Sequence, residues 1–138
     1  MSARVQGRVL VAGTARAPVL KLAQPISFWG GVDPQTGALT DPRGPAHGTP
    51  IGGRVLVLAA TRGSSSSSAI LLELLHNGHA PAALVLAQAD AILVVGVLVA
   101  REMGWPTIPV LEVPLADHAN LADGATATVA ADGTIATD

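Results

Sequence analysis

The chain has 138 residues, a formal net charge of −2 and no cysteine. This length fits one domain with a sizeable core, so we treat residues 1–138 as a single domain. The charges are scattered and form no clustered basic face, so we expect no nucleic-acid partner. Without cysteine, the chain alone can hold neither a disulfide scaffold nor an iron–sulfur cluster.

The hydropathy is high, with only 13% charged residues and a mean hydropathy of +0.48. Such a chain buries apolar surface against a partner or in a membrane. Residues 80–100 are long enough for a span, but Gln88 and Asp90 lie near the middle. An aspartate at the bilayer centre costs about 2.5–3.5 kcal/mol. We therefore expect a strand, a turn and a helix there, no membrane span, and, since arginines and a glycine interrupt the amino terminus, a cytoplasmic protein without a secretory signal.

The first half of the chain contains two predicted strands and a long loop. Residues 4–12 alternate valines with polar or small residues, which predicts a half-buried strand. Residues 23–53 are rich in glycine and proline and predict a loop with at most one short strand; loops of this length are often functional. Residues 54–60 are continuously apolar, which predicts a strand buried on both faces.

The second half alternates helices and strands. Its predicted elements are a helix over 69–78 that ends at Gly78, a strand over 82–87, a helix from the cap Asp90 to about Met103, a strand over 107–113, and a closing hairpin with a two-residue turn at Asp132-Gly133. Strand–helix units of this kind give parallel pairing. The sequence therefore predicts a compact α/β fold.

Five serines, residues 64–68, lie between the second predicted strand and the first predicted helix. Three interpretations are open: a flexible linker, a turn in which one serine caps the helix, or a turn that presents hydroxyls to a substrate. In the third, Gly63 lets the backbone turn, and Ser64 and Ser65 face the substrate. Free N–H groups at the helix start would bind an anion, and Arg62 would add a bidentate grip on a carboxylate.

Other residues carry weaker signals. Trp29, beside Gly30 and Gly31, is either a core anchor or the wall of a pocket. His76 and His79 flank a helix end without a nearby carboxylate, so we interpret them as capping residues and expect no metal site.

Three stretches together resemble the swivelling-domain subunit of the aconitase X family. They are "PISFWGGVDPQTGALTD" (25–41), "TRGSSSSSAILLEL" (61–74) and "APAALVLAQADAILVVGVLVAREMG" (80–104), and the match covers nearly the whole chain. The resemblance implies a compact swivelling β/β/α domain of aconitase type that works beside a large catalytic subunit. That subunit would hold an iron–sulfur cluster through its own cysteines.

The resemblance also implies an activity and a set of site residues. Members are hydro-lyases that dehydrate a small hydroxy acid, either cis-3-hydroxy-L-proline or 5-phosphomevalonate, and we expect the former. Ser64 would be the catalytic base. The substrate would lie against Arg62, Gly63, Ser65 and the loop of Phe28, Trp29, Gly30 and Gly31.

Two alternatives come from other classes. Residues 97–106 and the closing hairpin are similar to phosphohistidine-carrying swivelling domains, but the position where that chemistry needs a histidine is about Val95. A non-catalytic regulatory subunit is the other alternative, and it applies if Ser64 only caps the helix.

Overall fold

The computed structural model describes residues 3–40, 46–62 and 65–138. Most of these residues form one sheet with helices packed on it. The strands are β1 (Ala3–Gln6), β2 (Arg8–Val11), β3 (Ala15–Lys21), β4 (Val55–Leu58), β5 (Ala83–Leu86), β6 (Val110–Glu112), β7 (Thr126–Val129) and β8 (Thr134–Thr137). The helices are α1 (Phe28–Gly31), α2 (Ser67–Asn77) and α3 (Ala91–Glu102), followed by a 3₁₀ helix (Leu115–Asn120).

The eight strands are ordered β1-β8-β7-β3-β4-β5-β6-β2. The run from β3 to β6 is parallel and the remaining pairs are antiparallel. β1 and β2 lie at opposite ends of this order although only Gly7 separates them in the chain. The sheet therefore curls into a near-barrel whose two ends are joined covalently.

The prediction of one strand over residues 4–12 is wrong, because Gly7 divides this stretch into the two strands β1 and β2. The N–H of Gly7 donates to the carbonyl of Gly133 at 2.8 Å, and a Cβ on Gly7 would lie 3.1–3.3 Å from that carbonyl and the side chains of Val113 and Leu111. A glycine lets the backbones approach this closely, and the chain passes from one end of the strand order to the other.

Two apolar clusters fill the two sides of the sheet. Val55 and Val57 of β4 point into the barrel, while Leu56 and Leu58 point towards α2 and α3. All four side chains are buried. The continuous apolar run of β4 is thereby explained, since a strand covered on both faces has no polar side. The prediction of a doubly buried strand here is confirmed.

The two predicted helices are confirmed, as are the terminal residues Gly78 and Asp90, but α2 begins two residues earlier than predicted, at Ser67. α2 ends at Gly78, which is left-handed with φ 78° and donates its N–H to the carbonyl of Leu74. α3 begins after Asp90, whose carboxylate accepts the N–H groups of Ile92 and Leu93. No helix of the described residues is long and apolar enough to cross a membrane.

Three features differ from the prediction or were missed. β3 contains Pro18, which argues against a central strand. It is tolerated because residues 15–18 pair with β7 and residues 19–21 with β4. The closing hairpin forms as predicted, but four residues, 130–133, connect its strands rather than two: the N–H of Ala130 donates to the carbonyl of Thr134, and Gly133 has φ 90°. The 3₁₀ helix was missed.

Candidate functional site

Polar side chains follow three neighbouring parallel strands at their carboxyl ends. β4 leads to Thr61 and the serine run, β5 leads to the loop of residues 87–90, and β6 ends at Glu112. In open parallel sheets, ligands bind outside the carboxyl ends of the strands. This edge, called here the carboxyl edge, is therefore where a functional site is expected.

The glycine-rich loop joins the carboxyl edge beside β4. Ile26 forms a parallel bridge with Thr61, and the N–H of Arg62 donates to the carbonyl of Ile26 at 2.8 Å. α1 begins two residues later, at Phe28. The structure thus brings the start of the "SFWGG" loop beside Thr61 and Arg62, although Ile26 and Thr61 lie 35 positions apart in the sequence (61 − 26).

Thr61 and Asp90 connect β4 to α3. The Thr61 hydroxyl donates a hydrogen bond to Oδ2 of Asp90. Oδ1 of the same carboxylate accepts the N–H of Ile92 at 2.9 Å and of Leu93 at 3.3 Å. One carboxylate therefore caps α3 and holds the end of β4 against it.

Glu112 fixes the loop of residues 87–90 from the other side. Its Oε2 accepts the N–H of Ala89 at 2.9 Å, and its Oε1 forms an ion pair with Arg8 at 2.8 Å. The Ala89 N–H, and after it the Arg8 guanidinium, lowers the pKa of the Glu112 carboxyl below its usual value. Both bonds favour the charged form, so Glu112 is an anion at neutral pH.

Between these contacts lies an open depression of about 360 Å³, lined by Ala60, Thr61, Gln88, Ala89, Asp90, Ala91 and Ile92. It is shallow and faces outward. A second surface that covers it would turn it into a pocket that excludes water.

The predicted site residues are placed as follows. Gly63 and Ser64 lie outside the described residues. Arg62 and Ser65 are exposed, on either side of them in the chain. The linker interpretation is wrong for the end of the serine run, because Ser67 and Ser68 form the first turn of α2.

The loop around Trp29 divides into one buried and one exposed aromatic side chain. Phe28 is fully buried in the cluster beneath α2, so its side chain anchors the loop and does not reach the surface of this chain. Trp29 is 59% exposed, and the core-anchor interpretation of this indole is wrong. At Gly30 and Gly31 a Cβ would meet no atom within 4 Å. Trp29, Gly30 and Gly31 therefore expose an indole ring and backbone atoms at the surface of this chain.

Sequence reasoning missed the link from Thr61 to Asp90 and the role of Glu112. Asp90 was identified only as a helix cap. The available signal was that polar residues follow each of three consecutive buried strands, since parallel strands bring such residues to one edge.

Two further facts bear on ligands. Ser67 is only 2% exposed, and its hydroxyl has no hydrogen-bond partner in the described part of the chain. The described residues contain no group of three or more histidine, cysteine, aspartate or glutamate side chains that could hold a metal ion. His76, in the last turn of α2 and thus at the end of the sheet opposite the carboxyl edge, contacts Trp105, with the two rings tilted by 35° and their centroids 4.3 Å apart.

A family model, two curated relatives and a solved structure all support the resemblance to the aconitase X family. The family model described as the aconitase X swivel domain matches residues 4–137. The cis-3-hydroxy-L-proline dehydratase of Pseudomonas aeruginosa is 40% identical over 124 residues, which cover 85% of this chain and 21% of the relative. The phosphomevalonate dehydratase small subunit of Methanothermobacter thermautotrophicus is 37% identical over 113 residues, covering 82% of each chain.

A solved structure has the same fold. The crystal structure of Thermococcus kodakaraensis aconitase X in its holo form superposes with a TM-score of 0.86 at 32% identity, covering 99% of this chain and 98% of that chain. The α/β fold of swivelling β/β/α type is thus confirmed. The chain spans about a fifth of the hydroxyproline dehydratase and about four fifths of the phosphomevalonate dehydratase small subunit.

Proposed function

The chain belongs to the aconitase X swivel-domain family, and from this premise we propose that it is the small subunit of a dehydratase acting in the cytoplasm. Both relatives carry dehydratase names. In the hydroxyproline dehydratase the matching segment is about a fifth of a longer chain, whereas the phosphomevalonate dehydratase relative is a separate small subunit. The observation that carries the proposal is the carboxyl edge itself. It joins the loop that carries "SFWGG" to Thr61 and Arg62, next to an open depression that is lined by residues 60–61 and 88–92 and needs a second surface to close it.

The large subunit would supply that second surface. It would also supply the iron–sulfur cluster, because this chain has no cysteine and its described residues offer no metal-binding group. A bound cluster would act as the Lewis acid for the departing hydroxyl. The part of this chain is then to hold the substrate and to take a proton.

Dehydration of a 3-hydroxy acid requires a base for the proton alpha to the carboxylate. We propose Ser64 for this role. The hydroxyl of a serine is a weak base unless cations and N–H groups stabilise its alkoxide. Arg62 lies two residues before Ser64 in the chain, and α2 begins three residues after it with its free N–H groups.

The proposed substrate is cis-3-hydroxy-L-proline, with pyrroline-2-carboxylate as the product. The 40% identical relative carries this activity in its name. Loss of the alpha proton and the neighbouring hydroxyl as water leaves an enamine, which tautomerises to the cyclic imine. The chain has one lysine, Lys21, and seven arginines without a basic cluster. At the carboxyl edge the exposed Arg62 suits one carboxylate, whereas Arg8 is already paired with Glu112.

Phosphomevalonate is the second candidate substrate, because the phosphomevalonate dehydratase small subunit of Methanothermobacter thermautotrophicus matches this chain over 82% of its own length. In that case the phosphate would be bound mainly by the large subunit. The phosphohistidine alternative finds no support at His118, which is buried with Nε2 3.0 Å from the carbonyl of Val113.

The proposal is tested by purifying this chain with and without its large subunit and assaying both compounds. We expect the complex to dehydrate cis-3-hydroxy-L-proline and the single chain to be inactive. Turnover of phosphomevalonate alone would reject the substrate, and activity of the isolated chain would reject the subunit role.

A further inference from the structure

The outward side of α3 is apolar along its whole length. Among the described residues, six large apolar side chains are exposed, and three of them follow one another at intervals of four positions here: Val95 is 51% exposed, Val99 39% and Met103 51%. Ala91, four positions before Val95, is exposed as well. Residues four apart lie on one side of a helix. These four side chains therefore form a continuous strip, called here the outer face of α3.

The outer face differs from what a helix at the surface of a domain normally shows. The opposite side of α3 is already buried, with Leu93, Val97 and Ala100 in the core beneath it. No charged residue occurs between Asp90 and Arg101. A surface helix normally carries polar side chains on its outward side, whereas a helix that is apolar all round is buried. The composition of α3 therefore indicates that another surface covers its outer face.

A second copy of this chain is too weak an occupant. α3 has 12 residues, so it is about 18 Å long, and a strip about 10 Å wide along it offers roughly 180 Å². Two copies packed through this strip alone would bury roughly 360 Å² in total. Stable interfaces bury about 1,200 Å² or more. The outer face must therefore be one part of a larger contact.

The outer face continues the surface that the large subunit is proposed to cover. Ala91 and Ile92 line the open depression at the carboxyl edge, so the strip begins where the depression ends. Two further exposed apolar side chains lie at this edge: Trp29 follows Ile26, whose bridge joins that loop to β4, and Leu115 follows β6. Five of the six exposed large apolar side chains thus lie at the carboxyl edge or on α3, which favours one extended partner.

We infer that the outer face of α3 is a docking surface for the large subunit, and that Val95 and Val99 contribute to the affinity between the two chains. The inference rests on the proposed function, which supplies that partner. The contact would extend from the carboxyl edge along α3 towards the opposite end of the sheet. The outer face carries no polar side chain, so its contribution is to assembly and not to the reaction.

The test measures the dissociation constant between this chain and its purified large subunit. Val95→Glu and Val99→Lys are made singly and together. Glutamate and lysine are good helix formers and pair favourably at four positions apart, so α3 should be preserved, and the double variant keeps the wild-type net charge. Ala136→Glu is the matched control. It adds the same charge as Val95→Glu, but on β8, where its partner on β1 is Arg4.

We expect each single substitution to raise the dissociation constant by about 10-fold or more, since each places a charge in an apolar contact. The double variant should raise it at least as much, and Ala136→Glu should change it by less than about threefold. As isolated chains, all four variants should melt within a few degrees of wild type. With saturating large subunit, the kcat of Val95→Glu and Val99→Lys should return to within about threefold of wild type, because the substitutions act on assembly alone.

Three results overturn the inference. If Val95→Glu and Val99→Lys bind the large subunit as tightly as wild type, the outer face lies outside the contact. If light scattering shows that the isolated wild-type chain is a dimer that these substitutions dissociate, while affinity for the large subunit is unchanged, the outer face joins two copies. If kcat stays low at saturation, the substitutions act on the reaction and not on docking.

Failure of the proposed function gives different results. A wild-type complex that assembles without dehydratase activity rejects the proposed activity, and the affinities of the variants still decide whether the outer face binds the large subunit. A wild-type chain that binds no large subunit rejects the proposed function and the inference together. Unchanged affinity of the variants in an active complex rejects the inference alone.

Discussion

The two ends of the parallel strands are built in different ways. At the carboxyl edge, loops are held by charged and polar side chains: Thr61 on Asp90, and Glu112 on Ala89 and Arg8. At the opposite end, called here the amino edge, loops are held by glycines packed against backbone. A Cβ on Gly37 or Gly52 would lie 2.9 Å or 3.1 Å from the carbonyl oxygen of His79.

This difference separates stability from function. Glycine packing fixes a loop but offers no chemical groups, whereas hydrogen-bonded carboxylates and hydroxyls fix loops and leave polar groups beside them. Substitutions at the amino edge should therefore lower stability and spare turnover. Substitution of an exposed residue at the carboxyl edge, such as Trp29, should lower turnover and change stability little.

A large loss of stability is expected from Gly37→Ala at the amino edge. Gly37 has φ 75°, and the added Cβ would lie 2.9 Å from the His79 carbonyl oxygen. Left-handed strain and overpacking together should cost roughly 2–4 kcal/mol. Thermal unfolding of the purified chain measures the loss. The kcat of the complex assembled at low temperature should stay near wild type, and a low kcat in a fully folded complex would remove the distinction between the edges.

Trp29→Ala should show the opposite pattern. The side chain is 59% exposed, so its removal should change the melting temperature of this chain by only a few degrees. If the indole walls the substrate site, the kcat/KM of the complex should fall by about 10-fold or more, since a buried aromatic contact contributes on the order of 1–3 kcal/mol. Phe28→Ala is the matched control from the same loop.

In that control, loss of the fully buried Phe28 ring should destabilise the chain by about 3–5 kcal/mol. Unchanged kinetics in Trp29→Ala, with intact assembly, would mean that the exposed indole serves neither substrate nor closure of the site.

A smaller effect, dependent on pH, is expected at Glu112. Its pKa is lower in the folded chain than the usual 4.5. A carboxyl with a depressed folded pKa stabilises the fold above its unfolded pKa and loses that contribution as pH falls through the folded value. The melting temperature of Glu112→Gln should therefore lie below wild type at pH 7. The difference in melting temperature between Glu112→Gln and wild type should become smaller only below about pH 4.5, which is the usual pKa of a glutamate.

Asp132→Asn gives the comparison for this titration. The Asp132 pKa is also lowered, chiefly by the Thr134 N–H, at the hairpin rather than beside the loop of residues 87–90. The difference in melting temperature between Asp132→Asn and wild type should likewise become smaller at low pH, and kcat should not change. If the difference in melting temperature between Glu112→Gln and wild type persists unchanged to low pH, the carboxylate is not what holds Ala89.

The features predicted from sequence are those with local causes. Gly78 and Asp90 end and begin their helices through bonds to residues two to four positions away, and the sequence contains both partners. The doubly buried β4 is visible because burial on both faces removes every polar residue. The two motifs of the site were likewise identified from their own residues.

The features that were missed depend on contacts between distant residues. The split at Gly7 follows from closure against Gly133, and β3 accommodates Pro18 only because its two halves pair with different strands. The bond from Thr61 to Asp90 joins residues 29 positions apart and arises because β4 and β5 are neighbours in the sheet. Neither partner has a local pattern that indicates the other.

The most direct test of the central claim is the kcat of the assembled complex carrying Ser64→Ala. Ser67→Ala is its control, because Ser67 is buried without a partner in the described structure and its loss should be neutral or slightly stabilising. We expect Ser64→Ala to assemble, to melt within a few degrees of wild type and to lose roughly 10²–10⁴ in kcat, while Ser67→Ala stays active. Near-normal kcat in Ser64→Ala, or inactivity that comes only from failure to assemble, would contradict the assignment of Ser64 as the base.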